Sequence, residues 1–252
     1  MRQMRVNVPV STLWIHPDAP RPVDEPALTD VPDAQAWLLA LDAHPDDDES
    51  GDGRLGLHGR VHSQLLAGEP VLVVGEPEDR RWVEVVCPWQ PSSQDPRGYP
   101  GWVRRAHLIH DDTGAQHDRP EDESWALTPD ERAQPEVALA RQHLGLAYLW
   151  GGTSPLGLDC SGLVHLVHRE LGRVVPRDGD DQQDSCMPVP LGEVRPGDLY
   201  FFAHPGQPAH HVGIVTEAGH MIHAPETGQG IVEEPLSPAR RDTLSGAGRI
   251  TS

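Results

Sequence analysis

Hydrophobic positions along the first 110 residues alternate with polar ones over short runs, and turn residues interrupt them often. Val6, Val8 and Val10 alternate, and Pro70–Gly75 (PVLVVG) and Arg81–Val86 (RWVEVV) flank the turn Glu76-Pro77-Glu78-Asp79. Gly98 to Val103 reads as a return strand, so this part predicts small-barrel or sandwich material. Ala34–Leu41 (AQAWLLAL) is too short for periodicity to decide between a helical turn and a strand.

Further along, the apolar period changes. Thr128-Pro129-Asp130-Glu131 has the form of a capping box with proline at the first helical position, and a helix is predicted from Glu136 to about Leu144, stopped by Gly145. After the turn-rich stretch Trp150–Leu158, Asp159 is placed to cap a second helix, in which Leu163, Val164, Val167 and Leu171 form one stripe and Gly172 supplies the stop. Residues 173 to 193 read as a polar, irregular connection. The runs Asp198–Phe202, His211–Val215 and His220–Ala224 then predict antiparallel strands, giving an α+β fold class.

Composition narrows the function. The chain has 252 residues, enough for two or three modules, and its 26 prolines and 25 glycines disfavour an all-helical fold. With 39 acidic against 20 basic residues the formal charge is -19, which opposes binding to a phosphate backbone, so nucleic acid is excluded as a partner. Much of the acidity lies in Asp42–Asp52 and Asp111–Glu123, which read as solvated loops or linkers. No run reaches transmembrane length, and the basic residues of Met1–Asp18 are not followed by an apolar stretch, so no membrane partner is expected. Three cysteines without a CxxC pair suit a reducing compartment, and the expectation is a cytoplasmic protein.

Cys160 opens the second helix, where unpaired N–H groups and a partial positive charge favour thiolate over thiol. Such a nucleophile requires a base and a group that orients the base. The last two strand runs supply both if they close through a three-residue loop at Thr216–Ala218. His211 then pairs with His223, Gly213 with Met221, and both histidines share a face. A two-residue loop at 217 and 218 would put them on opposite faces. Cys160, His211 and His223 lack a fourth ligand for zinc, and Cys87 and Cys186 have no comparable setting.

The blocks Tyr148-Leu149-Trp150-Gly151-Gly152, Asp159-Cys160-Ser161-Gly162-Leu163, Pro176-Arg177-Asp178, Arg195-Pro196-Gly197-Asp198-Leu199, His211-Val212-Gly213-Ile214 and Met221-Ile222-His223-Ala224 occur in that order. Together they resemble the NlpC/p60 family of papain-like cysteine peptidases, over roughly residues 129–252. The resemblance implies cleavage of cell-wall peptides after γ-D-glutamate, with Cys160 as nucleophile, His211 as base and His223 as its orienting partner. It implies no cofactor and no metal. It also assigns Tyr148, beside an oxyanion hole that includes the Cys160 N–H, and Ser161 to the substrate.

Residues 1–60 and 61–110 resemble two bacterial SH3-like domains, followed by an acidic linker at 111–128. Gln64–Glu69 and Gly98–Trp102 resemble the subgroup of γ-D-glutamyl-L-diamino acid endopeptidases, in which an SH3-like domain walls off the cleft. There Glu69, Tyr99 and Asp159 would hold the ammonium group of a free N-terminal L-alanine, which suits a murein-derived peptide already released from the wall, as in peptide recycling. Carboxylates and a hydroxyl are the groups that a half-buried ammonium requires. One departure from the pattern is Gly179, where relatives often carry Ser or Ala after Pro-Arg-Asp. A general wall hydrolase anchored by its SH3-like domains and a non-catalytic wall-peptide binding module are the competing readings.

Overall fold

The computed structural model describes residues 2–44, 51–78, 80–110 and 120–251, which form two compact units. One takes the described residues up to 110 together with Leu149–Gly157; the other takes those of 120–148 and 158–251. The larger part of each acidic stretch, 45–50 and 111–119, lies outside the described residues.

The first unit is built on strands β1 (Arg2–Val6), β2 (Val10–Trp14), β3 (Val61–Leu66), β4 (Pro70–Gly75), β5 (Trp82–Cys87), β6 (Tyr99–Arg104) and β7 (Leu108–His110), with helix α1 (Ala34–Asp42) between β2 and β3. They make one antiparallel sheet in the order β3-β2-β6-β5-β4-β1-β7. The boundary expected at 60/61 is therefore not seen: β1 and β2 hydrogen-bond only with strands that lie beyond it. The expectation failed because alternation reveals strands and not their partners. Burial of Met4, Val6, Leu13, Leu65, Val71, Val83 and Val103 in one cluster follows the period-two pattern. A second cluster gathers Trp14, Trp37, Leu41, Leu57, Val61 and Trp82, and it settles Ala34–Leu41 as a helix that buries Trp37 and Leu41 one turn apart. The short strand β8 (Thr153–Ser154) belongs to this unit; there the Ser154 hydroxyl donates to the Gln64 side chain at 2.7 Å.

After β9 (Gly157–Leu158), the second unit contains helices α2 (Pro135–Gln142), α3 (Cys160–Glu170), α4 (Gly179–Ser185) and α5 (Pro238–Thr243). Its strands are β10 (Met187–Val189), β11 (Leu199–Phe202), β12 (His211–Glu217), β13 (His220–His223), β14 (Val232–Pro235) and β15 (Leu244–Arg249), in the antiparallel order β10-β15-β11-β12-β13-β14. Helices α2 and α3 pack together and onto β12. The α3 stripe of Leu163, Val164, Val167 and Leu171 is buried, and Phe201, Phe202, Val212 and Ile214 are fully buried in the sheet.

Three expectations need correction here. The described part of the expected linker, 120–128, is not a free connection: Glu123 N–H donates to the Glu170 carbonyl at 2.7 Å, and Leu127 is buried. The predicted capping box does form between Thr128 and Glu131, but it closes a single 3-10 turn, and α2 starts afresh with Pro135 at its first position. In addition, the stretch expected to be irregular, 173–193, contains α4 and β10.

Candidate active site

Asp159 makes the nucleophile helix what it is. Its backbone is extended, its carboxylate accepts from Gly162 N–H at 2.7 Å, and α3 begins at the next residue, Cys160. The same carboxylate is gripped by the buried Arg177 guanidinium through two bonds of 3.1 and 2.6 Å, and Arg177 also donates to Ser161 Oγ at 2.8 Å. Buried Gln182, on α4, donates to the carbonyls of Ser161 and Pro176. The loop that carries Arg177 is thus fastened to the first turn of α3 from two sides.

Cys160 is partly exposed, and the N–H groups of Val212 and Ser161 are turned toward its sulfur. Burial nevertheless pushes the thiol up to about 11, with the Asp159 charge adding to the effect; Val212 N–H, the Arg177 charge and Ser161 N–H oppose it. The expected helix-start stabilisation of thiolate is present but opposed by the larger effect of burial, which favours the thiol.

His211 begins β12 and is buried. Burial holds its imidazole well below the usual range, with the nearby Arg240 charge acting in the same direction, so it is a neutral ring. Its Nε2 lies 2.7 Å from His223 Nδ1, and the His223 Nε2 lies 3.1 Å from a Glu234 carboxylate oxygen. The two rings meet edge to face, with centroids 4.9 Å apart. The strands are not in the predicted register. Ile214 faces Ile222 and Val215 faces Met221, after which a bulge brings Glu217 opposite His220. Relative to expectation the pairing is slipped by two residues, which preserves the face, so the histidines meet on a diagonal. Gly213 makes room for this: a Cβ there would sit 3.2 Å from His223 Cβ and 2.6 Å from Met221 Sδ.

Tyr148 is buried, and its hydroxyl is pushed above its usual range by burial and then by the Asp159 charge, so it remains a neutral donor. Ser161 is buried with its hydroxyl shared between Asp159 and Arg177. In the first unit Glu69 is fully buried, accepting from Gln90 Nε2 at 2.9 Å and from Leu66 N–H at 3.1 Å, and buried Tyr99 packs edge-on against His62. Gly179 starts α4 with Val212 Cγ1 and Ser161 Cβ at 3.8 and 4.0 Å from where its Cβ would lie, so a small side chain would fit. Cys87 and Cys186 are buried, and burial raises both thiols, that of Cys186 to about 12.

Sequence reasoning missed three residues here: Arg177, quoted only as part of a block, Glu234 and Arg240. Arg240 is half-buried on α5, stacked over Phe202, and its charge is felt by Cys160, His211 and His223. Lone charges on short polar segments carry no local signal of this placement.

A family model described as the NlpC/P60 family matches residues 145–245. A γ-D-glutamyl-L-lysine dipeptidyl-peptidase of Bacillus subtilis (strain 168) is 33% identical, over 88% of this chain and 90% of the relative. One of the same name from Bacillus cereus (strain ATCC 10987 / NRS 248) is 26% identical, over 97% and 90%. The crystal structure of an NlpC/P60 family protein from Bacillus cereus ATCC 10987 is similar over 98% of this chain and 99% of that one, with a TM-score of 0.84 and 25% identity. This chain, with its mixed α/β architecture of antiparallel sheets, belongs to the NlpC/P60 family of cysteine peptidases.

Proposed function

We propose that the protein is a cysteine endopeptidase that cuts the γ-D-glutamyl bond to a diamino acid in peptidoglycan peptides with a free N-terminal L-alanine. The observation that carries this reading is the Cys160–His211–His223 arrangement: a thiol at a helix start beside the backbone of the base-bearing strand, and a base tied to a second ring at 2.7 Å. The names of two relatives that align along nearly their whole length, γ-D-glutamyl-L-lysine dipeptidyl-peptidases, support the bond and the dipeptide product, with lysine as the diamino acid to test first.

Each step of the reaction has a residue. His211 takes the Cys160 proton as the sulfur attacks the γ-carbonyl, the oxyanion that forms draws on backbone N–H groups and the neutral Tyr148 hydroxyl, and His211 then protonates the leaving amine. Water hydrolyses the thioester and releases the dipeptide. Asp159 and Ser161 set the geometry of the first helical turn through Arg177. Glu69 and Tyr99 are assigned to recognition of the free amine, and the amino-terminal unit is read as SH3-like. What supports that assignment is chemistry alone: a carboxylate and a hydroxyl are the groups that an ammonium requires. The reading sets the work in the cytoplasm, on peptides already released from the wall, and fractionation of the source cells tests that location.

The test is incubation with L-Ala-γ-D-Glu-L-Lys, its diaminopimelate analogue and the N-acetylated forms, with products read by mass spectrometry. Release of L-Ala-γ-D-Glu from the free-amine peptides alone is expected. Equal cleavage of acetylated peptide would overturn the amine-recognition part, and release from intact sacculi would favour the general wall hydrolase.

A further inference from the structure

The pair of rings at 2.7 Å poses a chemical question that the pair alone does not answer. One proton lies between His211 Nε2 and His223 Nδ1. If His211 donates it, the remaining His211 nitrogen, Nδ1, is a lone pair able to accept the thiol proton. If His223 donates it, His211 must carry its proton on Nδ1 and has no lone pair left to take the thiol proton, which is the unproductive tautomer.

We propose that Glu234 is a positioning residue that selects the productive tautomer of both histidines, an assignment that rests on the reading of His211 as the base. Its carboxylate lies 3.1 Å from His223 Nε2. An ionised carboxylate only accepts, so His223 carries its proton on Nε2 and presents a bare Nδ1 to His211. His211 then donates from Nε2 and keeps its Nδ1 lone pair for Cys160. The order Glu234, His223, His211, Cys160 is a directed chain of hydrogen-bond roles, fixed at the end remote from the sulfur.

The placement suits the role. Glu234 lies on β14, the edge strand of its sheet, beside β13, and its side chain is 44% exposed, so the carboxylate keeps its hydration while holding a fully buried ring. The other groups that face the histidines are Arg240 from α5 and His210, which precedes β12. Arg240, a guanidinium, offers no acceptor, so of these groups only Glu234 can take a hydrogen bond from His223 Nε2. The selection matters when a neutral His211 has to take the proton of a thiol, because only one of its nitrogens then carries a lone pair.

The experiment uses full-length protein carrying 15N-histidine. Two-bond proton–nitrogen correlations at pH 7.5 are expected to find both His211 and His223 protonated on Nε2. In Glu234→Ala, His223 is expected to lose that preference and a His211 Nδ1–H form to appear. Removing an orienting carboxylate directly bonded to a catalytic histidine costs about 10⁴ in kcat in a serine peptidase; one ring further out and half exposed, Glu234→Ala is expected to lower kcat about 10- to 100-fold with KM within about twofold. Glu234→Gln, whose amide oxygen still accepts, is expected to stay within about threefold of the parent. A parent protein with His211 protonated on Nδ1, or a Glu234→Ala variant with unchanged tautomers and unchanged kcat, overturns the proposal. If the parent cleaves no peptide, the functional reading fails, while the nitrogen spectra still decide the role of Glu234.

Discussion

Arg177→Met is the substitution that most sharply separates the placement of the nucleophile from its chemistry. Arg177 is fully buried and contributes two charged hydrogen bonds to Asp159 and one to Ser161, while Asp159 keeps the Gly162 N–H. Breaking one side of a buried ion pair costs about 3–5 kcal/mol, because the survivor is left charged and poorly solvated. The retained N-cap bond argues for the lower end, about 3 kcal/mol, which is roughly a 150-fold rise in the local opening constant of α3. The two units need not unfold together, so the assay is hydrogen–deuterium exchange of peptides from 160–171, followed against urea. Asp159→Asn alone strands the guanidinium and is expected to cost a similar amount, whereas the double variant removes both charges and recovers about 2–3 kcal/mol of the summed loss. A change in α3 opening smaller than about threefold in Arg177→Met, or strict additivity in the double variant, would rule out a stabilising Arg177–Asp159 pair.

Three other predictions concern the same unit. His165 and His168 are held neutral down to about 3, chiefly by burial, while in the unfolded chain each titrates near 6.5. Below that pH the unfolded state takes up protons that the native state refuses, so stability is constant above about 6.5 and falls below it, by about 2 kcal/mol for the two residues between pH 6.5 and 5.5; urea melts at those values check it. Because burial pushes the Cys160 thiol up to about 11, its alkylation by iodoacetamide is expected to rise about tenfold per pH unit from 7 to 10, and a plateau already reached below pH 7 would indicate a resting ion pair instead. Gly213→Ala puts a methyl group against His223 Cβ, the Ile222 carbonyl and Met221, and is expected to cost about 1–3 kcal/mol in thermal unfolding together with about tenfold in kcat.

The local features of this fold were legible in the sequence because local physics decides them. Asp159 before an apolar helical stripe, Gly172 after it, and the strand run Pro70–Gly75 each declare themselves within a few residues, and each is found in place. What sequence reasoning lost were non-local pairings. Strands β14 and β15 went unread because VEEP and LSGAGR lack apolar alternation; they are strands because neighbours offer them a hydrogen-bonding edge. The division at 60/61 failed for the same reason. In the candidate site, the meeting of His211 with His223 was foreseen, but the hairpin register was wrong by two residues, since a bulge at Val215/Glu217 has no signature in the loop sequence. Arg177 was visible only as part of a motif, and Glu234 and Arg240 take their meaning from a sheet edge and a short helix that were not predicted.

The proposed function requires that the sulfur of Cys160 become bonded to the acyl group of the substrate. Rapid acid quench of the enzyme with L-Ala-γ-D-Glu-L-Lys, followed by peptide mass spectrometry, reads this directly. An L-Ala-γ-D-Glu thioester is expected on the peptide containing Cys160, absent from Cys160→Ala, which also releases no dipeptide. Undiminished cleavage by Cys160→Ala, with no adduct on the parent protein, would contradict it.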